Sequence, residues 1–298
     1  MSGRGGWLGR SAAAVGAAAA GGALALAAGA RQWQRESDRL VGELGRGEPG
    51  LGGRLRFEGF AGLPPPVERY LRLTLADGQP LIAGATVRQQ GTFRGREGGD
   101  PAAGWAPFTA VQRFTASPPG FVWDARIRMG PLVAVRVRDG YVHGRASMRG
   151  AVAALIPVVS AADGPALRAG ALQRWLAEAV WLPTALLPGA GVSWSAVDDY
   201  HALATATDGP TSVSLQFEFG PGGEIVAARA PGRPRAGKDG RFTPTPWGGR
   251  YHGHERHDGM LVPTEAEVFW VVNGREEPYY RGRNETIGYT FTNEEGLP

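Results

Sequence analysis

The chain has 298 residues, 43% of them hydrophobic, enough to bury a sizeable core in one large β-rich domain or two small ones. Its 32 basic residues face 28 acidic ones for a net charge of +4, a balance too even to mark a nucleic-acid binder. Cysteine is absent, which excludes disulfides, thiolate metal sites, cysteine nucleophiles and a lipid-bearing cysteine; no motif implies a cofactor.

Residues 11–30 are twenty uncharged positions, mostly Ala and Gly with Val15, Leu24 and Leu26, preceded by Arg4 and Arg10 and followed by Arg31. That pattern predicts a membrane-directed segment, since about 20 apolar residues span a bilayer core of roughly 30 Å. Ala28-Gly29-Ala30 also resembles a signal-cleavage site. The expectation is a single N-terminal anchor (residues 1–30) with the body outside the cytoplasm; export after cleavage and an Ala-rich soluble helix are the alternatives. Residues 31–58 are charged and Gly-punctuated and read as a juxtamembrane helix and linker. The folded body, residues 59–298, reads as a single β-rich domain.

Within it, Val67, Tyr70, Leu71 and Leu73 share one face of a short helix opened by prolines 64–66. Phe121, Trp123, Ala125, Ile127 and Met129 then alternate with polar neighbours, as one side of a strand does. Asp139-Gly140 predicts a two-residue hairpin turn that sets Val137 opposite Val142 and Arg138 opposite Tyr141. Residues 172–188, LQRWLAEAVWLPTALLP, are the strongly helical, apolar stretch of a chain otherwise built of short alternating runs. Val213, Leu215, Phe217 and Phe219 mark another half-buried strand, turned at Gly222-Gly223. Residues 229–246, rich in Gly and Pro, carry Arg229, Arg233, Arg235, Lys238 and Arg241 and predict the longest loop, as a mobile surface or an anion-binding rim. Asp258-Gly259 predicts a further hairpin. At Asn273-Gly274 a tight turn would set Trp270 opposite Glu277 and Val272 opposite Arg275, so a bulge or longer loop is expected. The fold class is therefore α+β, mainly β: a curved antiparallel half-barrel of about nine or ten strands wrapping one or more helices.

A ligand cavity between sheet and helix would be lined by Phe121, Trp123, Trp175, Trp181 and Leu186, although such rings are as readily core. Glu178 borders the apolar stripe of the helix, where it forms either an ion pair with Arg174 one turn earlier or a ligand-binding or acid–base group. Arg126, Arg128, Arg136 and Arg138 form a basic face that contacts anionic headgroups or water. His252, His254 and Glu265 are weak metal candidates: the two histidines share a strand face, Glu265 falls opposite His252, and Arg256 beside them opposes a cation. The GRPRAGK run at 232–238 imitates a phosphate-binding loop but continues into Asp239 where Ser or Thr is required.

The blocks Leu63-Pro64-x-Pro66-Val67-x-Arg69-Tyr70-Leu71, Gly120-Phe121-Val122-Trp123, Trp175-Leu176-Ala177-Glu178, Trp181-x-Pro183-Thr184-Ala185-Leu186-Leu187-Pro188, Pro246-Trp247-Gly248-Gly249 and Val262-Pro263-Thr264 resemble a bacterial domain family of unknown function with an N-terminal membrane segment. The resemblance covers roughly residues 63–289. The element order is more distantly similar to lipoprotein-carrier half-barrels, which implies an apolar cavity. Three readings follow: a membrane-anchored or exported module binding a lipid or other apolar ligand; an envelope structural or interaction protein without a ligand; and a hydrolase-type enzyme joining Glu178 to His143 or His201. Oligomeric state has no signature in the sequence.

Overall fold

The computed structural model describes residues 5–46, 53–95, 103–130, 133–237 and 239–292, with backbone alone for 5–19. Three helices, α1 (Gly5–Leu44), α2 (Pro65–Thr74) and α3 (Pro165–Glu178), accompany thirteen strands. The first six are β1 (Ile82–Arg94), β2 (Trp105–Thr115), β3 (Gly120–Arg128), β4 (Ala134–Val142), β5 (Arg145–Val152) and β6 (Ile156–Ala161). After α3 come β7 (Val192–Ala196), β8 (His201–Asp208), β9 (Thr211–Phe219), β10 (Ile225–Ala236), β11 (Phe242–His257), β12 (Met260–Val272) and β13 (Arg275–Phe291).

All thirteen form one antiparallel sheet in the order β6-β5-β4-β3-β2-β1-β13-β12-β11-β10-β9-β8-β7. Two meanders are thus joined by the pairing of β1 with β13. The order explains the helical block: it connects β6 to β7, the two opposite edges, so its path lies across the face around which the sheet curls. Inward positions alternate along each strand, as at Val213, Leu215, Phe217 and Phe219, all buried. The block fills the resulting cup: Leu172, Trp175, Leu176, Trp181, Leu182 and Leu186 are at most 3% exposed. Its helix starts at Pro165, earlier than position 172, with proline in the first turn where a missing N–H costs nothing.

Several turns correct the expectations. Asp139 and Gly140 lie inside β4, paired with Met148 and Ser147, and the chain reverses instead at His143-Gly144, with φ of 48° and 72°. Histidine tolerates the left-handed region better than most residues, and glycine occupies it freely. Asp258-Gly259 turns as expected and places His252 opposite Glu265. Asn273-Gly274 is a tight turn after all, with Val272 opposite Arg275 and Trp270 opposite Glu277; the bulge falls farther along, between Val268 and Phe269. Residues 229–246 are mostly the arms of β10 and β11, not a loop; Lys238 lies outside the described residues. With the edge strands, that hairpin raises the strand number from nine or ten to thirteen.

On the outer face, the second half of α1 packs across β3 and β4. Leu44 meets Val122 and Val142, and a Cβ on Gly120 would come within 2.6 Å of Leu44. Trp33 Nε1 and Ser37 Oγ donate to Asp124, while Arg138 donates to Glu36, Ser37 and the Trp33 carbonyl. Residues 31–44 thus form a docked helix. Among the described residues no helix is long and apolar enough to cross a membrane; the side chains of 11–19 fall outside them.

Candidate functional site

The helical block ends in two 3-10 turns, Ala179–Trp181 and Pro183–Leu186, and main-chain carbonyls near such ends lack helical partners. The sheet supplies them. Tyr251 on β11 donates to the Ala177 carbonyl at 2.8 Å, Tyr289 on β13 to that of Trp181 at 2.8 Å, and Trp194 on β7 to that of Leu186 at 2.8 Å. Thr184 Oγ1 accepts from the Ile82 N–H at 2.9 Å. The block is therefore a plug tied by hydrogen bonds to strands on both wings of the sheet.

Under α3 the inner face carries a polar band at positions where the alternation calls for apolar residues. Asn284 opposes Gln89, Gln112 opposes Trp123, and Trp123 opposes Asp139, across β13, β1, β2, β3 and β4. Trp123 donates to Gln89 at 2.9 Å and Gln89 to Asn284 at 3.0 Å, while Asn284 Nδ2 is buried with no partner. Arg174 closes the band from above, donating to Glu178 at 2.9 Å and Asp139 at 2.7 Å and lying about 5 Å over the rings of Phe121 and Trp123. Gln112 donates to the other Glu178 oxygen at 2.6 Å.

One cation thus faces two carboxyls in a poorly hydrated place. Burial pushes the Glu178 carboxyl above its ordinary range, and the Arg174 charge and the Gln112 bond oppose that shift without cancelling it. Burial disfavours the charged form of Arg174, but Glu178 and Asp139 outweigh it and raise the guanidinium pKa, so Arg174 stays charged.

The ionic reading of Glu178 with Arg174 is what the geometry holds. No histidine joins them: His143 Nε2 meets the Glu43 carbonyl on the outer side, and His201 pairs with Asp198 at the surface. Phe121, Trp123, Trp175, Trp181 and Leu186 are at most 4% exposed and are packed as core, so they do not line an open chamber. Space lies beside the plug at its C-terminal end. There a pocket of about 170 Å³ is bounded by Leu55, Phe60, Ile82, Ala83, Ala185 and Leu187. Such a volume suits one small apolar group, as an engineered cavity of about 150 Å³ holds benzene, and is below the roughly 300 Å³ at which drug-sized pockets begin.

Arg126 and Arg128 stand exposed on the outer face and Arg136 is half-buried there, but Arg138 is buried beneath α1 and occupied by Glu36, which removes it from the basic surface. His252 and Glu265 line a shallow outer groove of about 580 Å³ with Arg128, Arg281 and Arg283. His254 is turned to the Ile225 carbonyl at 3.0 Å, and no group of three or more potential ligands gathers for a metal among the described residues.

Gln112, Gln89 and Asn284 were not singled out by motif or spacing, and Asp139 was read only as a turn residue. A signal existed: each is a polar residue in the apolar phase of a strand, as Gln112 is between Ala110 and Phe114.

A plugged antiparallel half-barrel with a buried ionic band and a small apolar mouth defines the class. Within it, the chain belongs to a family of unknown function, DUF6544, whose model matches residues 54–282. No curated protein matches it in sequence. Two solved structures are similar. One, described as an outer membrane lipoprotein-sorting protein domain from Vibrio parahaemolyticus, is 7% identical with a TM-score of 0.37, covering 72% of this chain and 87% of that one. The other, a LolA superfamily protein from Nitrosomonas europaea, is 9% identical with a TM-score of 0.31, covering 78% of this chain and 93% of that one. Likeness at these scores carries no argument about activity.

Proposed function

We propose that this protein is a membrane-associated envelope module that holds an apolar group of a lipid-like ligand at the mouth of the half-barrel, beside residues 184–188. The observation that carries the reading is the largely apolar pocket of about 170 Å³ between the end of the plug, the start of β1 and the segment 54–60. The Arg174–Glu178–Asp139 band then fixes the plug whose far end forms one pocket wall. The N-terminal helix, apolar over residues 11–30, keeps the module at the bilayer. Titration with a fluorescent single-chain fatty-acid probe tests this. Saturable binding at one site, abolished by Ala83→Phe with the melting temperature retained, is the expected result; absence of saturable binding would defeat it.

The filled interior favours a second reading, an envelope interaction protein without a ligand. In that case probe binding is absent and a crosslinked protein partner is recovered in its place.

A further inference from the structure

Exposed large apolar side chains are concentrated at one end of the sheet. Met129 and Val133 flank the turn between β3 and β4, Leu155 and Ile156 the turn between β5 and β6, and Val158 and Val159 continue along β6. The two turns are neighbours, since the Ala153 N–H donates to the Ala134 carbonyl at 2.9 Å. Ile156 is 64% exposed and Met129 60%, and β6, an edge strand, is covered on neither face. Among the described residues, the exposed large hydrophobics elsewhere are Val197, Tyr200 and Phe242, apart from two on α1.

Those two join the same patch. Gly29 packs so closely on Leu155 that a Cβ there would collide with it. From that crossing α1 runs on past the sheet end to Gly5, about 36 Å of helix, and its first turns beyond the sheet carry Leu24, 72% exposed, and Leu26. Apolar sheet end and apolar helix therefore leave the body side by side.

Basic charge predominates beside the patch. Arg126 and Arg136 are directly paired across β3 and β4, and Arg128 follows two residues on; none has an ion-pair partner among the described residues. Like charges directly opposite one another destabilise a sheet, and an external anion relieves them. Arg31 lies on α1 just after the apolar turns.

We infer that this end of the sheet, Met129, Val133 and residues 155–159 with the arginines beside them, is a docking surface for an anionic lipid bilayer. Apolar side chains enter the interface, and Arg126, Arg128 and Arg136 meet headgroup phosphates. The inference rests on reading α1 as membrane-directed and adds that the body itself touches the membrane, with β6 against the lipid.

The absence of native cysteine allows single-site labelling. The full chain carrying an environment-sensitive fluorophore at Val158→Cys, or at Tyr200→Cys as a distant site, is mixed with vesicles of phosphatidylcholine containing phosphatidylglycerol, and with phosphatidylcholine vesicles alone. The expected result is a blue shift at 158 and none at 200, with partitioning weakened about thirtyfold in Arg126→Gln/Arg128→Gln and on omission of the anionic lipid. Binding with a water-like label at 158 would overturn the docking surface while leaving the α1 reading intact. No binding to either vesicle would overturn both. A blue shift at 158 without lipid, accompanied by a dimer mass in light scattering, would assign the edge to a second copy of the chain and overturn the inference as well.

Discussion

Tyr141 on β4 donates a 2.7 Å hydrogen bond to Asp208 at the end of β8, joining the third strand of the sheet to the twelfth. The bond bridges the open seam, so at this end the half-barrel is close to a closed ring. Burial and the adjacent Asp208 both hold the Tyr141 hydroxyl far above its ordinary pKa, which keeps it a donor at physiological pH. Tyr141→Phe removes one bond to a charged acceptor and should cost about 1.5–3 kcal/mol in urea denaturation. A midpoint equal to wild type would show that the seam is held by packing alone.

The ionic band makes an asymmetric prediction. Arg174→Met leaves two part-buried carboxyls without their cation and should cost about 3 kcal/mol. Glu178→Gln removes a charge that burial already disfavours and retains the shape, so its cost should be near 1 kcal/mol. Chemical denaturation of the two variants side by side checks the order, which equal losses would contradict.

Docking of α1 should be acid-labile. Burial pushes the Glu36 carboxyl up, but the bond from Arg138 and the charges of Arg149 and Arg138 together outweigh it and leave its pKa below the ordinary 4.5. A depressed carboxyl contributes stability above its unfolded value, and that contribution is lost as pH falls through the folded one. Hydrogen exchange in residues 31–44, referenced to intrinsic rates, should therefore lose protection below about pH 4.5 before β8 and β9 do. Simultaneous loss in helix and strands would contradict separate release.

The aromatic ties on the plug are individually testable. Tyr251→Phe leaves the Ala177 carbonyl without its side-chain partner in a buried place and should cost about 1–2 kcal/mol. Thermal unfolding unchanged from wild type would mean that the plug carbonyl finds another donor.

What the sequence disclosed depended on how local the cause was. The alternation at 213–219 and the Asp258-Gly259 turn are set by neighbours within a few residues, and both stand in the structure. Asp139-Gly140 misled because an aspartate before glycine has good turn chemistry, whereas here the carboxylate faces inward to Arg174, 35 residues away. At Asn273-Gly274 the facial pattern argued against a tight turn, yet Trp270 is covered by Arg233 and Arg235 of β10, contacts invisible to the pattern of one hairpin. The ionic band draws members from five strands and a helix, so residue spacing could not assemble it. Glu178 was visible because its partner Arg174 lies one helical turn away.

The central claim, that the pocket beside the plug's C-terminal end holds one apolar group, is tested most directly by native mass spectrometry of the full chain released gently from membranes. A single lipid-sized adduct in the wild type, lost in folded Ala83→Phe and retained in Tyr141→Phe, is the predicted result. A bare wild-type mass, or an adduct that survives Ala83→Phe, would contradict it.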